Sequence, residues 1–304
     1  MANIIALHRD LGDKNYRHSA YKAFKINDPK PRDIHKASVR DRLLHHAIHR
    51  MLYPFFDRVF ISDSSSCRIG KGTYMAIHRF DAFAYKVTRN HTRQAWVLKC
   101  DIRKFFASID QATLLIILEK YIPDSDILDL LSDIIGSFSS TERGIGLPLG
   151  NLTSQLLVNV YMNEFDQFVK HTIKAKYYIR YADDFVIFSA DRTWLSDIIP
   201  AIKRHLSDTL RLQLHPSKIS IKTIAAGVDY LGWVHFSDHR VLRTVAKKRM
   251  FWRLRACGNR PAVVQSYLGL IKHGNSRKLK DRIESGYSGQ NPNVLDWDTP
   301  DLSS

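Results

Sequence analysis

Tyr181-Ala182-Asp183-Asp184 stands between two apolar runs, Tyr177-Tyr178-Ile179-Arg180 before it and Phe185-Val186-Ile187-Phe188 after it. Both flanks are β-branched and aromatic, so the stretch reads as two strands joined by a tight turn that carries adjacent carboxylates. Neighbouring aspartates at a hairpin tip repel each other and are poorly shielded, which makes sense if a divalent cation sits there. Taken alone, the four residues read equally as an ordinary turn, since aspartate is a favoured turn residue. The rest of the chain has to decide.

Working outward, Ala95 to Cys100 reads as a buried strand ending at Asp101, and Asp110 as the cap of a helix over 111–121. Gly144, Gly146, Pro148 and Gly150 form a loop that opens into a helix over 152–171. Beyond the hairpin the pattern predicts a helix over 195–210, a strand over 219–223 and a hairpin over 230–242. Residues 1–30 are polar, aromatic-dotted and basic. Over 39–60, Leu43, Ala47, Met51 and Phe55 recur every fourth residue beside Leu44, Ile48 and Leu52, a helical pattern. Ser62 to Ser66 and Gly70-Lys71-Gly72 break it before a second helix over 73–92. The last third is helical and basic, and the tail from Ser285, rich in Gly, Asn, Pro and Asp, is expected to be disordered. This order of elements implies an α+β sheet with helices on one face.

Composition narrows the class. The 304 residues are 44% hydrophobic and 25% charged, the balance of a folded soluble protein. Lysine plus arginine exceed aspartate plus glutamate by 46 to 30, a net charge of +16, which favours a polyanionic partner, nucleic acid before membrane. Cys67, Cys100 and Cys257 stand alone, against a disulfide framework or structural zinc and in keeping with a reducing cytoplasm. Polar residues interrupt every apolar run of the first sixteen, and no apolar run reaches membrane-spanning length. His45, His46 and His49 share a helix with no acidic or Cys ligand at metal spacing, so they read as solvent- or RNA-facing.

Two-metal phosphoryl transfer needs carboxylates from separate elements converging on ions roughly 3.5–4 Å apart. Asp101 at a strand end and Asp183 and Asp184 at a hairpin tip meet that need if their strands are neighbours. Asp101 is followed by Ile102-Arg103-Lys104-Phe105-Phe106, and here the chain resembles the reverse transcriptases. The resemblance implies a right-hand polymerase with fingers, a palm (an antiparallel sheet with helices on one face) and a short helical thumb. It makes Asp101, Asp183 and Asp184, with the carbonyl of Ile102, ligands of two Mg2+ ions, with Mn2+ as an alternative in vitro. Phe106 matches the steric gate under the incoming sugar, while Phe105 reads as core.

Further blocks follow in the family's order. Gly146-Leu147-Pro148-Leu149-Gly150-Asn151-Leu152-Thr153-Ser154-Gln155 resembles the loop-helix block against template and incoming base, which implies contacts from Leu149, Gly150 and Gln155. Leu214-His215-Pro216-Ser217-Lys218 resembles the block whose lysine protonates pyrophosphate, and Lys218 reads equally as a solvated lysine. Tyr230-Leu231-Gly232-Trp233 resembles the hairpin that grips the primer end. Arg32-Asp33-Ile34-His35-Lys36 and Val39-Arg40-Asp41-Arg42 resemble the fingers block that holds the triphosphate: Arg32 and Arg42 match best, and Lys36 and Arg68 follow.

Most members carry Gln-Gly and a closing Ser-Pro at the loop-helix block; this chain has Leu149-Gly150 and Ser154-Gln155. That departure resembles the enzymes of diversity-generating retroelements, in the group II intron-like lineage, and implies error-prone copying of template adenines. A glutamine can position polar groups at the nucleotide, whereas leucine offers only shape, so polar discrimination weakens.

From 239 to 283, Lys247, Lys248, Arg249, Arg253 and their basic neighbours are opposed only by Asp281 and interleave with Phe251, Trp252 and Tyr267. Such a face binds the phosphates of a template–primer duplex without reading sequence. The division expected is 1–94 N-terminal segment and fingers, 95–236 palm, 237–284 thumb and 285–304 tail. The implied partners are a structured template RNA and its RNA–DNA hybrid, dNTPs and a small basic accessory protein, with no membrane. The rival readings are an antiphage or group II-like reverse transcriptase and a non-catalytic RNA-binding scaffold on a degenerate palm.

Overall fold

The computed structural model describes residues 2–27, 31–258 and 260–287. The chain divides into two compact units, one of residues 1–83 with 97–221 and one of 84–96 with 222–304. The tail expected from Ser285 lies outside the described residues from 288 onward, and its first three residues instead close a helix.

The first unit opens with helix α1 (Ala2–Gly12), a hairpin of β1 (Lys22–Ile26) and β2 (Arg32–Lys36), and helix α2 (Val39–Val59). Ser38 caps α2 by accepting from the amide of Asp41. The helix predicted over 39–60 is present, and its buried face carries Leu44, Ile48 and Phe56. The fourfold ladder beside it is outside: Val39, Leu43, Met51 and Phe55 are exposed. Helix α3 (Thr73–Val87) stops short of the end predicted at 92, where Arg89, Asn90 and His91 take left-handed backbone conformations.

The core is a four-stranded sheet in the order β4 (Tyr178–Tyr181), β5 (Asp184–Ser189), β3 (Trp96–Asp101), β6 (Ser220–Thr223). Phe185 to Phe188 are all buried, so both faces of β5 are covered. Phe185 packs on Phe165 of α6 (Leu152–Gln167) at 5.0 Å, and Phe188 packs on Phe80 of α3 at 4.7 Å. Helices α4 (Gln111–Glu119), α5 (Ser125–Gly136) and α7 (Arg192–Leu210) complete the unit. Asp110, Asp124 and Asp191 cap them through their side chains. Leu195, Ile198, Ile202, Leu206 and Leu210 give α7 its buried stripe.

The second unit holds an antiparallel meander of β7 (Val228–Tyr230), β8 (Trp233–His235) and β9 (Arg240–Leu242), then helices α8 (Thr244–Ala256), α9 (Pro261–Ile271) and α10 (Arg277–Tyr287). A Cβ at Gly274 would run into the Trp233 ring, so only glycine lets the chain pass there. Among the described residues no helix is long and apolar enough to cross a membrane.

Candidate functional site

Strand β3 carries Val97, Leu98 and Cys100 into the core and ends on Asp101, itself 8% exposed. The two-residue turn between β4 and β5 places Ala182 at φ 54°, the left-handed conformation that tight hairpin turns require. The amide of Ile102 donates to the carbonyl of Asp183 at 3.1 Å, so the end of β3 lies against the hairpin tip. On its other side, His215 donates to the Asp101 carbonyl at 2.8 Å and Arg103 to that of Gln213 at 2.8 Å. The three aspartates predicted from sequence therefore share one edge of the sheet.

Their charges are unevenly balanced. Lys218, on the turn after His215, donates to both carboxylate oxygens of Asp101 at 2.8 Å. Lys99 lies 3.9 Å from Asp184. Burial, with the charges of Asp184 and Asp101 adding to it, pushes the Asp183 carboxyl up to about 6. Carboxylate oxygens are the donors hard divalent cations take, and a carboxyl held up by neighbouring acids is relieved when a cation arrives. Among the described residues no three Asp, Glu, His or Cys side chains already converge on one ion position. The donor set fits a hard cation, and Lys218 competes with it for Asp101.

The hairpin is braced from inside by Arg180, whose side chain is fully buried against Asp166 of α6. Its Nε and Nη2 donate to Asp166 Oδ1 and Oδ2 at 2.8 and 2.7 Å, Nη2 to Ser64 Oγ at 3.0 Å, and Nη1 to Asn159 Oδ1 at 3.3 Å and the Ala182 carbonyl at 3.1 Å. The sequence reading passed over this brace. Its signal was there: an arginine inside an apolar strand must find a buried acid.

The loop-helix block is tied to the segment that follows β3 and to β2. Phe105 is buried as expected, and half-buried Phe106 accepts from the amide of Leu147 at 2.8 Å through its carbonyl. Gly146 donates to Ile109 at 2.7 Å, and Gln111 Nε2 donates back to the Gly146 carbonyl at 2.9 Å. Leu149 accepts from the amide of His35 on β2 at 2.9 Å, and Asn151 Nδ2 donates to the His35 carbonyl at 2.8 Å. A Cβ at Gly150 (φ 106°) would meet Ile34 at 2.8 Å, so this glycine lets the β2 hairpin come close to the loop. Arg32 and Lys36 are exposed on β2, Arg42 is exposed on α2, and Gln155 is half-buried on α6.

Three expectations are corrected. Arg68 does not face a nucleotide: its side chain is 4% exposed, and it donates to Asp57 Oδ1 at 2.7 Å and to the carbonyls of Asp57, Ile61 and Ser64. Tyr230 does not offer its ring to a primer, being fully buried; Leu231 and Gly232, both at positive φ, form the half-exposed tip. His45 faces neither solvent nor RNA: it is buried against His18 with their Nε2 atoms 3.2 Å apart, and burial pushes it down to about 4. In the second unit Lys248, Arg249, Trp252 and Arg253 are exposed on α8 and Lys247 is half-exposed, while Met250, Phe251 and Leu254 turn inward.

Residues 25–235 match the family described as reverse transcriptase (RNA-dependent DNA polymerase). The chain is 24% identical to protein YkfC of Escherichia coli over 277 residues, covering 73% of this chain and 71% of that one. It is 25% identical over 150 residues to the group II intron-encoded protein LtrA of Lactococcus lactis, 48% of this chain but only 24% of LtrA. In three dimensions it resembles telomerase from Candida albicans in complex with a fragment of telomeric RNA, with TM-score 0.55 and 10% identity, covering 75% of this chain and 47% of that one. The telomerase likeness speaks to the fold alone; the match over 25–235 takes in the β2 hairpin, the Asp101 strand, the loop-helix block and the double-aspartate turn. The chain belongs to the reverse transcriptase family.

Proposed function

We propose that this protein extends a DNA 3′ end on a structured RNA template. The observation that supports it best is the Ile102–Asp183 backbone bond, which sets Asp101 beside the Asp183–Asp184 tip. Asp101, Asp183, Asp184 and the Ile102 carbonyl would hold two divalent ions, Mg2+ by family habit. Bound there, such ions supply activation of the 3′-hydroxyl and neutralisation of the triphosphate. Phe106 closes the floor under the sugar, and Leu149, Gly150 and Gln155 shape the space for the templating pair. Arg32, Lys36 and Arg42 meet the triphosphate. Lys218 holds Asp101 between turnovers and gives its Nζ proton to the leaving pyrophosphate. The tip of Leu231 and Gly232 supports the primer end, while Lys247, Lys248, Arg249 and Arg253 hold duplex phosphates.

The test is primer extension on primed RNA by the wild type and by Asp183→Ala/Asp184→Ala. The double variant should make no DNA and still bind RNA. Retained synthesis would refute the assignment, and loss of RNA binding would favour a fold defect over a catalytic one.

Within this reading, Leu149 points to a diversity-generating retroelement that copies template adenines with errors, working with its RNA and a small basic accessory protein. Replacing Leu149 with Gln should lower misincorporation opposite adenine, and an unchanged error spectrum would remove the retroelement reading. The likeness to LtrA favours a group II intron-like enzyme as the second reading. Template and variable repeats that differ at adenines in neighbouring DNA would separate the two.

A further inference from the structure

The second unit contains a cleft of about 420 Å3 between the end of α9 and the start of α10. Its charged lining is wholly cationic: Lys272, Arg277 and Lys280. Lys280 also reaches Glu284 at 3.7 Å, an exposed pair one turn along α10.

Two features of the cleft, the Ser276 hydroxyl and Gly269, have no explanation in the packing of the unit. Ser276 stands at the N-cap of α10, is 8% exposed and lines the cleft, yet among the described residues its hydroxyl has no hydrogen-bond partner. The first intrahelical bond runs from the Lys280 amide to the Ser276 carbonyl at 2.9 Å, so the amides of residues 277–279 precede the ladder at the positive end of the helix dipole. Gly269 lies in the last turn of α9 at a helix-weakening cost, although a Cβ there would meet nothing within 4 Å and its φ is not positive. A glycine that neither a turn nor a close contact requires leaves the floor of the cleft open.

Amides at a helix start, a spare hydroxyl and three cations are the chemistry that takes an anion with several acceptor oxygens. The volume falls in the range of ligand clefts, about 300–1,000 Å3, and exceeds what a bare phosphate fills. Leu268 and Ile271 add an apolar wall beside the cationic one. We propose that this cleft seats the phosphate of a nucleotide unit, with its sugar over Leu268, Gly269 and Ile271. The phosphate comes either from within a bound strand or from the end of a free nucleotide. The strand source rests on the nucleic-acid role given above to this region; the chemistry of the cleft does not.

The test separates a built site from general positive charge, because Gly269→Leu fills the cleft without changing any charge. Binding of an RNA–DNA duplex lacking terminal phosphates and of adenosine monophosphate is measured for the wild type, Gly269→Leu and Ser276→Ala, with thermal midpoints for each. If a strand supplies the phosphate, Gly269→Leu weakens the duplex about tenfold and lowers the log–log salt slope by about one. If a free nucleotide supplies it, the loss falls on adenosine monophosphate alone. Should Gly269→Leu lose its fold, Ser276→Ala decides by the same readout, with a loss of about threefold or more. Unchanged affinity for both probes in a folded variant overturns the proposal. Primer extension by the wild type, scored separately, tests the polymerase reading and can fail or succeed without it.

Discussion

Replacing Arg180 with Met should be among the most damaging single changes in the first unit. Arg180 and Asp166 are both fully buried, and the guanidinium donates to two carboxylate oxygens, a hydroxyl, an amide oxygen and the Ala182 carbonyl. Methionine fills much of the volume but leaves the Asp166 carboxylate in the core with the Tyr178 hydroxyl, 2.7 Å away, as its remaining described donor. Breaking a buried pair by removing one partner costs about 3–5 kcal/mol, mostly the penalty of the orphaned charge. Arg180→Met/Asp166→Val removes that charge and should return part of the loss. About 1–3 kcal/mol should remain, because the bond from the Tyr178 hydroxyl to Asp166 is lost. Urea unfolding of the three proteins, followed by tyrosine and tryptophan fluorescence, measures these differences. Primer extension on the same samples should stay impaired in the double variant even where stability returns, because nothing then holds the Ala182 carbonyl. A single variant costing under about 1 kcal/mol, or a double variant no more stable than the single, would refute the orphaned-charge account. Full recovery of extension in the double variant would refute the bracing of the turn.

Two further outcomes follow from the charges at the sheet edge. Lys218→Ala should tighten Mn2+ binding to the nucleotide-free protein, read by electron paramagnetic resonance. Because the Lys218 side chain is 42% exposed the gain should be small, up to about fivefold, and weaker binding would show that the lysine does not compete for Asp101. Asp183, pushed up to about 6, binds more protons folded than unfolded between the usual aspartate range and pH 6, so its penalty grows as pH rises through that window. Asp183→Asn should therefore stabilise the metal-free protein above pH 6, on the order of 2–3 kcal/mol, with the gain vanishing near pH 4. A stability gain independent of pH would point to packing instead.

The elements that carry the aspartates were legible because their signals are local. A mostly apolar run ending in Asp101, a hairpin with a two-residue turn and a glycine–proline loop each declare themselves within ten residues. What was missed depends on partners far along the chain. The same aromatic and β-branched composition that marks Tyr177 to Arg180 as a strand cannot say that Asp166 and Ser64 wait for the guanidinium. Arg68 carries the composition of a phosphate ligand, and only the fold shows its donors spent on Asp57 and three carbonyls. On α2 two ladders of apolar residues run side by side, and periodicity alone does not say which is inward; in the folded unit Leu44, Ile48 and Phe56 are the buried ones. Helix α1 was hidden by its mixed polarity, and α5 was passed over despite its Asp124 cap.

The stitching of residues 146–150 limits how this enzyme can be altered. Leu147 is tied to Phe106, Gly146 to Ile109 and Gln111, and Leu149 to His35, so a five-residue segment answers to two distant stretches of chain. If Phe106 and Leu149 have the roles proposed above, sugar choice and base choice are mechanically joined: a graft that moves the loop drags Phe106 and the β2 hairpin with it. Changes in fidelity and in ribonucleotide exclusion should arise together, and a chimera that imports the segment without its docking partners inherits neither property intact.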